Sequence, residues 1–307
     1  LLPDWPREGP FWLSDITIFL PTRRARGALA DALVEALGGE PMLLPDIRTL
    51  GGEDPSQEPF LPPYEPVALP PAMGRVKRRL LLAQLIEKWL AARSDLPFSA
   101  PALGGYQGRP NIAEVLALAD SLGTLIDDFA IAGRDLSNLD TIETGQLAEQ
   151  FLANLDFVRF IFAQWPAILD AEGEMDASAR TTALLRRQAQ VLPQIFGERP
   201  VIVAGSTGSM PATAELIAAI AALPRGAVIL PGLDLTLTGK SADALRTDKN
   251  NAHGHPQYGL VRLLDALGVR PEAVVPLGAS SSSRTDALNA ALALAPETAR
   301  WGEIAAG

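Results

Sequence analysis

Two hydrophobic periods alternate along the chain. The run Asp15-Ile-Thr-Ile-Phe-Leu20 is short, apolar and β-branched, the pattern of a strand. Pro21-Thr22 then leads into Arg23–Leu37, where Ala25, Ala28, Leu29, Ala32, Leu33 and Leu37 recur at helical spacing. Gly38-Gly39 ends that helix. Met42–Leu44 predicts the next strand, and residues 51–72, with seven prolines and two glycines, read as a long surface loop.

From Met73 the period is helical throughout. Val76, Leu80, Leu81, Ala83, Gln84, Leu85 and Trp89 suit one long helix, Ile112–Ile131 and Leu147–Leu169 repeat the spacing, and the helical block runs to about residue 196. After Pro200 the β pattern returns as Val201–Ala204, followed by a Gly/Ser/Thr turn, the helix Ala212–Leu223 and the strand Ala227–Leu230. Residues 233–255 read as loop and Tyr258–Leu267 as a short amphipathic helix. The four serines Ser280–Ser283 lie in a stretch, Gly278–Arg284, that reads as mobile.

Strands at both ends with helices between them predict an α/β fold: a parallel-sheet domain over 1–72 and 197–307, interrupted by a helical domain over 73–196. Apolar residues make up 48% and charged residues 20%, which excludes disorder as the main state. The chain has no cysteine, so disulfides, zinc-thiolate sites and iron–sulfur clusters are excluded from this stretch, and cytoplasmic localisation is the default. No apolar run is long enough for a membrane span and no signal-peptide pattern opens the chain, which reads as soluble. Three prolines in Leu1–Leu13 and no initiator methionine point to further sequence upstream. The net charge of −10 makes any nucleic-acid contact local or shared with a partner.

Gly239-Lys240-Ser241 has the ending of a phosphate-binding P-loop, but Asp234 stands where that pattern needs its first glycine, and its carboxylate would repel a phosphate. Gly205-Ser-Thr-Gly208-Ser-Met-Pro211 lies between a strand and a helix, where a dinucleotide's pyrophosphate would sit. Its glycine spacing departs from that fingerprint. His253 and His255, the only histidines, lack a cysteine or carboxylate to complete a metal site and read as a solvated loop. Asp127-Asp128 are adjacent on a helix, do not face each other, and read as solvent-exposed. Three basic clusters remain. Arg75, Lys77, Arg78 and Arg79, and likewise Arg180, Arg186 and Arg187, read as solvated faces; Arg23, Arg24 and Arg26, at a strand-to-helix turn, can converge with helix N–H groups on a phosphate.

Ile18-Phe-Leu-Pro-Thr-Arg-Arg-Ala25, Trp165-Pro-Ala-Ile-Leu169, Ala204-Gly-Ser-Thr-Gly-Ser-Met-Pro-Ala-Thr213, Leu230-Pro-Gly-Leu-Asp234 and His255-Pro-Gln-Tyr-Gly259 together resemble AddB, the second subunit of the bacterial AddAB helicase–nuclease, in its alphaproteobacterial form. The similarity runs through most of the chain. It implies a superfamily I helicase-like, RecA-like (P-loop-like) lobe with an inserted all-helical domain, the N-terminal part of a longer protein that repairs double-strand breaks. AddA-type helicase–nuclease and DNA are the implied partners. In active helicases of that superfamily the matching turn contacts single-stranded DNA, which implies DNA-binding roles for Thr22, Arg23 and Arg24. An Asp-Glu pair for Mg²⁺ should follow the strand matched by Val201–Ala204, but Gly205 and Ser206 stand there, so the resemblance implies an inactivated module with no catalytic residue, cofactor or metal in this stretch. A nucleotide-binding enzyme using Gly205–Ser209 and a purely structural interaction domain remain the alternatives.

Overall fold

The computed structural model describes residues 4–5, 11–38, 42–50, 69–92, 110–134, 149–237, 239–247, 252–278 and 283–294. The chain divides into two compact units, Leu1–Glu53 with Arg186–Gly307, and Asp54–Leu185.

In the first unit, β1 (Thr17–Leu20), β2 (Asp46–Thr49), β3 (Val201–Ala204) and β4 (Gly226–Ile229) form one all-parallel sheet in the order β2-β1-β3-β4. Ile18 pairs with Ile47 on one side and Ile202 on the other, and Val203 pairs with Val228. Parallel neighbours require crossovers. The helix α1 (Arg23–Ala36) follows β1 and leads to β2, and α6 (Pro211–Ala221) joins β3 to β4. The chain therefore leaves β1 toward one edge of the sheet and later enters β3 on the other side of it. That makes the carboxyl ends of β1 and β3 the topological switch point, where open α/β sheets form their binding crevice.

The central strands are apolar because both faces are covered. Phe19 is fully buried with its ring edge-on to Phe196 at 6.4 Å, Val201 and Val203 are buried beside it, and α6 buries Leu216, Ile217 and Ile220. Gly226 opens β4 so close to α6 that a Cβ there would lie 1.8 Å from the Ile220 carbonyl oxygen.

Two expectations need correction here. The edge strand is Asp46–Thr49 and not Met42–Leu44: Pro45 carries no N–H, and pairing begins where Asp46 N–H donates to Ile16 O at 3.0 Å. The stretch 233–255 is not all loop, since α7 (Gly239–Thr247) folds within it, burying Ser241, Ala242 and Leu245, and a 3₁₀ turn spans Ala252–Gly254. Then follow α8 (Tyr258–Leu267), as expected, and α9 (Ser283–Ala291). Residues 279–282, three of them in the serine run, lie outside the described residues.

The second unit contains α2 (Arg75–Ala92), α3 (Ile112–Ala132), α4 (Glu149–Glu172) and the start of α5 (Ala177–Phe196). Asn111 caps α3 by accepting from the N–H groups of Ala113 and Glu114, and Glu114 accepts from Asn111 N–H, a complete capping box. The core is built from Leu82, Leu85 and Ile86 of α2, Val115, Leu122 and Ile126 of α3, and Ile161, Phe162 and Trp165 of α4. Residues 51–68 of the expected loop lie outside the described residues, but its end is paired: Met175 N–H donates to Pro71 O at 3.0 Å and Met73 N–H to Met175 O at 2.8 Å. No described helix is long and apolar enough to cross a membrane.

Candidate nucleic-acid interface

The turn after β1 is built by a helix cap. Thr22 is extended (φ −133°, ψ 156°), and its Oγ1 accepts the Ala25 N–H at 3.1 Å, which starts α1 immediately beyond the strand. The same hydroxyl still carries a donor proton. Thr22, Arg23, Arg24 and Arg26 are exposed, and the first turn of α1 holds no acid. A helix N-terminus is the positive end of the macrodipole, so each cation placed there costs about 0.3–1 kcal/mol. A helix N-terminus and the three arginines beside it both favour an anion at this turn.

The loop after β3 lies against this turn. A Cβ on Gly205 would sit 3.6 Å from Pro21 Cδ, so the first residues of the two turns, Pro21 after β1 and Gly205 after β3, adjoin at the carboxyl edge of the sheet. Gly205 N–H donates to Ile229 O at 3.0 Å, and the buried Ser206 accepts Gly208 N–H on its Oγ at 3.2 Å. Gly208 has φ +58°, and a Cβ there would come within 2.8 Å of Leu263 Cδ1, so a glycine is required by conformation and by the approach of α8. Two of the amides a phosphate would need are thus already bonded within the fold.

Beyond β4, Gln257 holds the chain: its Nε2 donates to Gly232 O at 3.0 Å and its Oε1 accepts Asp234 N–H at 3.2 Å. Asp234 Oδ1 accepts from Thr236 N–H and Oγ1–H at 2.8 and 2.7 Å, closing its own turn, and Gly239-Lys240-Ser241 opens α7 with Ser241 buried. Of the two histidines His253 is exposed, as expected, whereas His255 is tied into the fold. His255 Nδ1 accepts Gln257 N–H at 3.2 Å, which leaves Nε2–H to donate to Leu292 O at 2.8 Å, so both ring nitrogens are engaged. The His253 ring packs edge-on to Tyr258 at 4.6 Å. Among the described residues no three His, Cys, Asp or Glu side chains cluster as a metal site.

In the other basic clusters Arg75, Arg79 and Arg186 are exposed, as a solvated face requires, but several of the charges are paired, and Arg78 is largely buried. Lys77 pairs with Glu172 at 2.8 Å and Glu174 at 2.9 Å, and those hydrogen bonds raise its ammonium above the ordinary value. Arg79 pairs with Asp120 at 2.8 Å, Arg186 pairs with Glu215 at 3.2 Å, and Arg180 donates to Pro70 O at 3.2 Å. Arg78 is the centre of a largely buried network. Its Nε lies 2.7 Å from Asp176 Oδ1, its Nη1 bonds Asp127 at 2.9 Å, and its Nη2 donates to Gly123 O at 3.1 Å. Asp176 also accepts Trp165 Nε1–H at 2.8 Å. Burial pushes the Asp176 carboxyl above its ordinary range, against the pull of Arg78 and the Trp165 bond. Asp127 is therefore a half-buried partner of Arg78, not the exposed acid expected, whereas Asp128 is exposed. A cleft of about 550 Å³ opens beside this network, and two of its three arginines, Arg78 and Arg79, are neutralised by Asp127 and Asp120.

No family model matches the chain, and no curated protein matches it significantly in sequence.

Proposed function

We propose that this chain is an inactivated helicase-like module: a RecA-like lobe with an inserted all-helical domain that scaffolds an AddA-type motor subunit and guides single-stranded DNA during cytoplasmic double-strand-break repair. The observation that carries the reading is the meeting of two turns at the switch point of the sheet. One presents Thr22, Arg23 and Arg24 at a helix N-terminus without a neighbouring acid in its first turn. The other offers Gly205 and Ser206, with Ser206 Oγ taken up by the Gly208 amide, where a motor needs carboxylates to hold Mg²⁺. Such an edge suits the phosphates of a passing strand, read through the backbone and not through bases. With a net charge of −10 such a contact is local or shared with the partner subunit.

The test is equilibrium titration of the chain with a short single strand, with Mg-ATP and with NAD. Strand binding that weakens in the Thr22→Ala, Arg23→Ala, Arg24→Ala variant is the expected result. Tight ATP or NAD binding supports a nucleotide enzyme instead, and binding of none of the three supports a purely structural domain.

A further inference from the structure

An aromatic and basic cluster stands a short distance along the same edge. Tyr258, the first residue of α8, is half-buried, and the exposed His253 packs edge-on to it at 4.6 Å. The exposed Arg262, one turn further on, donates from Nη1 to the Tyr258 hydroxyl at 3.1 Å, with its guanidinium carbon 5.8 Å from the ring centroid. The guanidinium therefore lies over the ring while also bonding its hydroxyl, so Tyr258 and Arg262 form one stacked unit. The cluster is joined to the DNA-facing turn through the β3–α6 loop: Gly205 adjoins Pro21, and a Cβ on Gly259 would lie 3.9 Å from Thr207 Cβ.

We infer that His253, Tyr258 and Arg262 form a stacking platform for an unpaired base of a single strand whose phosphates rest on Thr22, Arg23 and Arg24. The inference rests on the proposed function, because it takes the strand to be already held at the switch point. Strand-binding surfaces combine a cationic track for the backbone with aromatic rings for the bases, and guanidinium planes stack on bases as well. Gln257, immediately before Tyr258, fixes the start of α8 by its bonds to Gly232 and Asp234, so the ring is presented from a rigid frame. Neither His253 nor Tyr258 contributes a buried core side chain.

The experiment measures anisotropy of a labelled oligothymidylate of about eight nucleotides, and of an abasic strand of equal length, with the wild-type chain, Tyr258→Leu and Tyr258→Phe. Tyr258→Leu is expected to weaken oligothymidylate binding by about ten- to a hundredfold, with Tyr258→Phe within about twofold of wild type. Its salt dependence stays unchanged, and all three proteins bind the abasic strand alike. Equal weakening on both strands would show a folding defect in place of lost stacking and overturn the platform, as would unchanged oligothymidylate binding by Tyr258→Leu. A wild-type chain that binds neither strand removes the proposed function itself, and the platform with it.

Discussion

Replacing Arg78 by Met tests the polar network of the helical unit. Arg78 holds Asp176 and Asp127 and reaches Gly123 O, while Asp176 is 4% exposed and keeps only the Trp165 hydrogen bond once the guanidinium is gone. Breaking a buried pair from one side costs about 3–5 kcal/mol, because the remaining charge stays desolvated. Methionine keeps an aliphatic stem at this position, so the loss is chiefly that of the charge and its hydrogen bonds. The sign of the pH dependence follows from Asp176. Its folded carboxyl already titrates above the ordinary value, chiefly through burial, so its charged form weakens the fold and protonation relieves it. Without Arg78 the carboxyl titrates higher still. The cost of Arg78→Met should therefore be largest near about pH 7 and shrink as the pH falls toward about 5. Urea unfolding followed by circular dichroism and Trp fluorescence measures it, with Asp176→Asn in the same series. The double variant should cost less than the sum of the singles by roughly 0.5–3 kcal/mol. A cost for Arg78→Met under about 1 kcal/mol, typical of a surface pair, would refute the reasoning, and so would a cost that grows on acidification.

Thr22→Ala should lower stability by about 1 kcal/mol through loss of the cap on Ala25 N–H, and Thr22→Ser should restore most of it; equal melting temperatures for all three would remove the capping role. Gly226→Ala forces β4 away from the Ile220 carbonyl and should cost at least about 1–3 kcal/mol, whereas an unchanged unfolding midpoint would show that the strand is free to move.

What the sequence made legible was local. Thr17–Leu20 and Val201–Ala204 carry dense β-branched and aromatic residues because they are the inner strands, and Tyr258–Leu267 shows its apolar stripe in full. The turn at Thr22 could be read because strand, cap and helix follow one another without a gap. The edge strand Asp46–Thr49 alternates charged and apolar residues and is half-buried throughout, so its composition resembles loop, and the more apolar Met42–Leu44 drew the assignment away from it. In α7 the only buried apolar residues are Ala242 and Leu245, one turn apart, too few to reveal a helix in a polar stretch. The pairing of Lys77, Arg78 and Arg79 was illegible for another reason. Their partners Asp120, Asp127, Glu172, Glu174 and Asp176 lie more than forty positions away, and a single sequence does not record which distant charges meet. The same holds for the contact that brings Gly205 beside Pro21, which only the strand order supplies.

The salt dependence of single-strand binding tests the sheet-edge site most directly. Each phosphate contact contributes about 0.7 to the slope of log affinity against log salt for single strands, so removing Arg23 and Arg24 together should flatten the slope by about 1.4. Mg-ATP in excess should leave the wild-type curve in place. A slope identical in wild type and in the Arg23→Ala, Arg24→Ala variant, or a strand displaced by ATP that the chain then hydrolyses, would contradict a phosphate-guiding edge on an inactivated lobe.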